Sequence, residues 1–175
     1  MKDIILGPHL LFARDGDEID GVTVSAEAKP DTTPSSNYTK VASCEGWEPR
    51  RSVERITRRA PNPGRYGDRK TILTNKQMEY AFDLQEWSEM TLAELLLGGE
   101  KPVAGVFVPN ASEEDLRGWW IVQGYDQEDN LIVALNVWGE ARVEQYKFGE
   151  TLNPYALIVK QLNSTLNTGE VSNLS

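Results

Sequence analysis

Gln77-Met78-Glu79-Tyr80-Ala81-Phe82-Asp83-Leu84-Gln85-Glu86-Trp87-Ser88-Glu89-Met90-Thr91-Leu92-Ala93-Glu94-Leu95-Leu96-Leu97-Gly98-Gly99 is the stretch on which the fold turns. Met78, Tyr80, Phe82 and Leu84 alternate with Glu79, Ala81 and Asp83. A period of two marks a strand with one buried and one wet face, and the wet face here reads as acidic. Just beyond, the period changes. Ser88 can accept a bond from the free N–H groups of a first helical turn, and Glu89 suits their positive end. Trp87 and Leu92 stand at the spacing of a hydrophobic staple. Leu92, Leu95 and Leu96 share one helical face, and Gly98-Gly99 ends the run. A helix of about ten residues is marginal by itself, so this one must pack on a sheet.

Outward from this junction the pattern stays β. Toward the C-terminus, strands are expected at Val103–Val108, Gly118–Tyr125, Asn130–Trp138, Ala141–Phe148 and Tyr155–Leu162. The polar Asp126-Gln127-Glu128-Asp129 turns the chain between two apolar runs, a hairpin signal. Toward the N-terminus, Val41–Trp47, closed by Glu48-Pro49, and Ser52–Arg59 read as strands. Ala60-Pro61-Asn62-Pro63-Gly64-Arg65-Tyr66-Gly67-Asp68 reads as a long Pro/Gly loop, of a length that is usually functional or mobile. Gly7-Pro8, Asp15-Gly16-Asp17, Asp20-Gly21, Pro30 and Pro34 break up residues 1–39, leaving room for short strands around Leu10–Ala13 and Gly21–Ser25. The expected organisation is an irregular arm over 1–39, a β-sandwich domain over 40–163 and a flexible tail over 164–175. The fold class is mainly β, a sandwich or barrel with one flanking α-helix.

Several kinds of chemistry find no footing. Among 175 residues, Cys44 is the only cysteine and His9 the only histidine. A catalytic triad, a Cys–His pair, an ordinary zinc site and an internal disulfide therefore cannot be assembled within the chain. Asp15-Gly16-Asp17-Glu18-Ile19-Asp20-Gly21 has the look of a calcium loop. It fails at the fifth position (Ile19), the sixth (Asp20, where glycine belongs) and the twelfth (Ala26, where glutamate belongs). No phosphate-binding glycine motif is present. The chain reads as non-enzymatic, without metal or cofactor. No apolar run reaches the roughly 18 residues of a membrane span, and the N-terminus offers no signal segment, so synthesis in a cytoplasm is expected.

The charge is distributed unevenly. Residues 50–70 hold Arg50, Arg51, Arg55, Arg58, Arg59, Arg65, Arg69 and Lys70 against Glu54 and Asp68, a net of +6. The whole chain carries −9, so the remainder carries −15. Such a strip can be simply solvated, can bind nucleic acid with Tyr66 beside its arginines, or can grip an acidic copy of the same chain. Unlike patches on one molecule make heterologous contacts, which build rings or filaments. Trp119, Trp120 and Tyr125 have two readings as well, as core residues or as the platform of a monomeric binding module.

The order of features from Tyr38 to Gly99 resembles the tail-tube proteins of long-tailed, siphovirus-like bacteriophages. Tyr38-Thr39-Lys40-Val41-Ala42-Ser43-Cys44-Glu45-Gly46-Trp47-Glu48-Pro49 looks like the family's early strand. A second strand and a long loop ending Asp68-Arg69-Lys70-Thr71 follow, and then the strand-to-helix junction quoted above. The resemblance implies a structural virion protein of the viral tail. Its copies would self-assemble into stacked hexameric rings forming a tube for DNA ejection, with the loop around Ala60–Lys70 reaching the adjacent ring. It also implies tape-measure and terminator proteins as partners, transient non-specific passage of DNA, no membrane, and assembly in a host cytoplasm. Arg50, Arg51, Arg55, Arg58, Arg59, Arg65, Tyr66, Arg69 and Lys70 would then make inter-subunit contacts. Glu79 and Asp83 would face the lumen. A tail terminator or completion ring protein and a type VI-like secretion tube protein share the same implied fold.

Overall fold

A computed structural model of the chain describes residues 6–33, 35–151 and 153–173. Ten strands follow one another: β1 Leu6–Arg14, β2 Glu18–Ile19, β3 Val22–Thr23, β4 Thr39–Lys40, β5 Cys44–Asn62, β6 Arg65–Leu84, β7 Leu116–Tyr125, β8 Leu131–Val143, β9 Tyr155–Gln161 and β10 Thr168–Val171. All but β2 and β3 join one antiparallel sheet in the order β4-β1-β7-β8-β9-β6-β5, with β10 beside β8. The protein is therefore mainly β, as expected.

The sheet curls, and its concave face holds the larger core. Leu10 and Phe12 of β1, Trp120 and Val122 of β7, Val137 of β8, Leu157 and Val159 of β9 and Phe82 of β6 are all buried there. Trp47 of β5, at the far end of the strand order, packs against the same cluster as β1. Bending of this degree needs room on the inner side. Gly118 of β7 and Gly139 of β8 are register partners at the bend. A Cβ on Gly118 would lie 2.1 Å from the Ala13 carbonyl oxygen, and one on Gly139 would lie 2.7 Å from that of Lys160. Glycine is required because another backbone passes through the place of a side chain.

A second core covers part of the convex face. Leu11, Ala13, Trp119, Ile121 and Trp138 pack there against Val24 and Tyr38, with Ile19 and Ala26 at the margin. The segment 15–38 is thus a lid on the sheet. Trp119 Nε1 donates to the Ser25 carbonyl (2.8 Å), and Tyr38 Oη donates to that of Pro30 (2.6 Å).

Several expectations need correction. Residues 6–14, read as part of an irregular arm with room for a short strand around Leu10–Ala13, form a longer strand between β4 and β7 with Leu10 to Ala13 buried. Gly7-Pro8 lies inside that strand, where the register with β7 shifts between Leu6 and His9, and Asp15-Gly16 follows its end. The expected strands Val41–Trp47 and Ser52–Arg59 are one strand, β5. Pro49 does not end it because β5 is the last strand of the sheet, where a missing N–H costs no ladder bond. Asn130–Trp138 and the first three residues of Ala141–Phe148 likewise merge into β8 through Gly139, whereas residues 144–148 are not strand. Val103–Val108 is not a strand but a tight turn, with Ala104 and Gly105 at φ +51° and +79°. Residues 168–171, assigned to the flexible tail, add β10 to β8, and Trp138 N–H donates to Asn167 Oδ1 (2.7 Å) just before it.

The helix lies where the sequence places it, but Met90–Leu96 is wound as a π-helix, with Leu97 N–H bonded to the Leu92 carbonyl five residues back. Ser88 caps it: Ser88 Oγ accepts from Thr91 N–H (3.2 Å) while Thr91 Oγ1 accepts from Ser88 N–H (2.9 Å). The wider winding changes the buried face. Thr91 and Ala93 are buried, and Leu95 packs on the core in company with Met90.

Candidate inter-subunit surface

The residues of the cationic strip come together on a ribbon. β6 pairs with β9 only from Glu79 to Leu84, whereas its pairing with β5 continues from Leu84 to Arg65. Beyond Ser52 and Gln77 the two strands pair with each other alone among the described residues. About eleven residues per strand give a projection of roughly 35 Å. The expected Pro/Gly loop is therefore the end of a β-hairpin. Its turn is only Pro63-Gly64, proline followed by a glycine at φ +79°, the sequence and geometry of a type II turn. Pro61 is tolerated because it, too, is on the outermost strand.

Two irregularities shape the ribbon. Asn75, at φ +47°, makes a bulge opposite Val53, and its Nδ2 donates to Glu54 Oε2 (2.5 Å). A second register shift lies between Arg58 and Arg59, opposite Arg69. Bulges sharpen the twist and discourage further strands from pairing along an edge.

Cations and apolar groups share this surface. Arg50, Arg51, Arg55, Arg58, Arg59, Arg65 and Lys70 are exposed, as is Tyr66 at 74%. The Arg69 side chain lies outside the described residues. Arg59 stands 3.6 Å from Asp68, and Arg50 makes a two-pronged contact with Glu48 at 3.2 and 3.3 Å. The Arg50 hydrogen bonds pull the Glu48 carboxyl below its usual range and push the guanidinium up. Arg51, Arg55, Arg58, Arg65 and Lys70 have no carboxylate within 4.0 Å among the described residues. Ile56 pairs directly with Ile72 and Leu73 with Arg55, so the exposed Ile56 and Leu73, one position out of register, lie on opposite faces of the ribbon. Sequence reasoning gave neither a role, and only the register tells which face each takes.

The face assigned to a lumen is not the acidic wall expected. Across five strands, direct register partners run Arg50, Glu79, Lys160, Glu140, Arg117, so the charges alternate. Arg142 stands 3.6 Å from Glu79, and Lys160 is at the same distance from Glu140. Asp83 is exposed opposite Gly46 and Ala156, with no such counter-charge among the described residues. The sequence hid this balance because Arg142 and Lys160 arrive from strands some sixty to eighty residues away.

Trp119 and Trp120 settle between their two readings. Both are fully buried, one in each core, and Trp120 Nε1 donates to the Gly139 carbonyl (3.2 Å). No exposed platform forms from them. The strongest surface feature of the described residues is thus the ribbon, projecting from an otherwise acidic body. No protein-family model matches the chain, and no curated protein matches it.

Proposed function

We propose that this chain is a structural subunit that assembles with copies of itself, in the manner of a phage tail-tube protein. The observation that carries the reading is the ribbon from Ser52 to Gln77, two-stranded and without a third strand among the described residues. An isolated hairpin is marginal in water, and one carrying Ile56, Leu73 and Tyr66 in the open gains stability by lying on another surface. Its cations favour an anionic partner, and the rest of the chain, at −15, supplies one. The long hairpin β5–β6 runs directly into the helix at Met90–Leu96, and that strand-to-helix junction is the feature on which the resemblance leans most. A tail terminator or completion ring would use the same surfaces and stop after one ring. Glu79 and Asp83 keep their proposed place on a lumen wall, of alternating rather than uniform charge.

Sedimentation over a range of protein concentration and salt, with negative-stain imaging, tests the reading. Rings or tubes that dissociate as salt rises are expected, since exposed charges are screened over about 8 Å at physiological ionic strength. Arg58→Glu/Arg59→Glu leaves the circular-dichroism spectrum unchanged and weakens assembly. Wild-type protein that stays monomeric under every condition, or a variant that forms tubes of normal length, defeats the proposal.

A further inference from the structure

Ten large apolar side chains are exposed among the described residues, and eight of them (three plus five) fall into two groups at opposite ends of β6, the first divided between the two faces of the ribbon. Ile56, Tyr66 and Leu73 lie on the ribbon. Leu97, Val103, Val106, Val108 and Phe148 lie in the connections 85–115 and 144–154. Those connections join strand ends at the other pole, where Leu84 of β6 faces Tyr155 of β9 and Val143 of β8 faces Leu157. The full length of β6, roughly 60 Å, separates Leu84 from the ribbon tip.

The second patch is built to protrude. Val103 and Val106 exchange backbone bonds at 3.0 Å in both directions, closing a two-residue turn over Ala104 and Gly105. Both turn residues have positive φ, and Ala104 adopts that conformation without the freedom of glycine. The turn holds the two valines 77% and 74% exposed. At the same pole, Leu97, Val143, Tyr146 and Phe148 line a shallow groove. Glu100, Glu113, Glu114 and Asp115 flank the turn in sequence against Lys101, a net of −3 over residues 97–115, and Arg14 and Arg117 line the cleft that Glu100, Glu114 and Asp115 share. All four carboxylate residues are exposed.

We propose that the ribbon of one copy docks on the Val103–Val108 turn and the Phe148 groove of the next, head to tail. This inference rests on the self-assembly reading above and adds the acceptor surface. The two patches match twice over, apolar with apolar and cation with carboxylate. Ribbon against ribbon would instead bring Arg51, Arg55, Arg58, Arg65 and Lys70 toward their own copies, and like charges at an interface oppose association. Because donor and acceptor are different surfaces, every docked copy leaves one of each free, and the contact propagates.

Two blocked variants of the full chain test it, mixed and unmixed, by sedimentation. Arg58→Glu/Arg59→Glu spoils the donor, and Val106→Asp/Val108→Asp spoils the acceptor at residues that are already solvent-exposed. Each alone is expected to need about tenfold more protein to assemble, the scale of losing a contact worth roughly 1.4 kcal/mol. Mixed one to one, the intact ribbon of the second variant meets the intact turn of the first, and a complex heavier than either variant appears. Circular dichroism verifies that both variants fold. If wild-type protein assembles while the valine variant assembles equally well, or the mixture sediments as the sum of its parts, the acceptor is wrong and self-assembly stands. If wild-type protein never assembles, the underlying reading fails with it.

Discussion

Arg14, at the end of β1, forms a salt bridge with Glu94 of the π-helix, and the Glu94 side chain is only 6% exposed. A segment expected to lie outside the β domain thus anchors the π-helix. Removing the cation strands a carboxylate in a place water barely reaches. Arg14→Met is expected to cost about 3–5 kcal/mol, and Arg14→Met/Glu94→Leu to recover most of that loss. Urea denaturation of the two variants and the parent checks it; a loss under about 1 kcal/mol for the single variant would show that the pair contributes little.

Gly118→Ala is expected to destabilise by at least about 1–3 kcal/mol, because the added methyl collides with the backbone of Ala13 and the ring of Phe12. Gly149→Ala serves as the control: nothing lies within 4 Å of its Cβ position and its φ is not positive. Thermal melts of both variants are the measurement. Equal melting temperatures would mean the sheet can flatten at the bend without penalty.

Cys44 is half-buried, and burial pushes its thiol up to about 11, from an ordinary value of 9.0. The thiolate is the reactive form, so alkylation at pH 8 should be at least about tenfold slower in the folded protein than in urea. The same shift links to stability. The folded state holds the thiol proton more tightly than the unfolded state does. The contribution is therefore complete below pH 9 and is lost as pH rises from about 9 to about 11. Cys44→Ala should flatten that part of the stability-versus-pH curve; an unchanged slope would assign the alkaline loss to other groups.

Amide exchange should divide β5 and β6 in two. From Glu79 to Leu84 the strand is held on both sides and over a core, whereas the ribbon is open on both faces. Protection in the dispersed protein should fall by about two orders of magnitude or more past Gln77, and should rise there on assembly. Mass spectrometry of peptic fragments reads this directly. A uniformly protected β6 in dilute protein would show that the ribbon is stable without company.

Local chemistry explains which parts of the fold were readable in advance. The Met78–Leu84 alternation, the Ser88 cap and the Asp126 turn, where Asp126 Oδ1 accepts from the N–H groups of Glu128 and Asn130, all act within a few residues. Their signals survive in sequence. Pro49, Pro61 and Gly139 misled because their effect depends on place in the sheet. At an outer edge proline is harmless, and at the bend glycine is obligatory. The candidate site divides in the same way. The clustering of arginines was visible as composition, while the alternating row from Arg50 to Arg117 and the placing of Ile56 and Leu73 on opposite faces of the ribbon exist only through register.

Trp119 and Trp120, adjacent in sequence, enter different cores. Sliding β7 by one residue would exchange them, driving each indole into a cavity shaped for the other and orphaning the Ser25 and Gly139 carbonyls that their N–H groups satisfy. The lid over 15–38 and the curled sheet beneath it are consequently locked into a single cooperative unit. Peeling away one layer unseats a tryptophan whose neighbour secures the other, so the monomer should melt in one step with no half-folded species along the way.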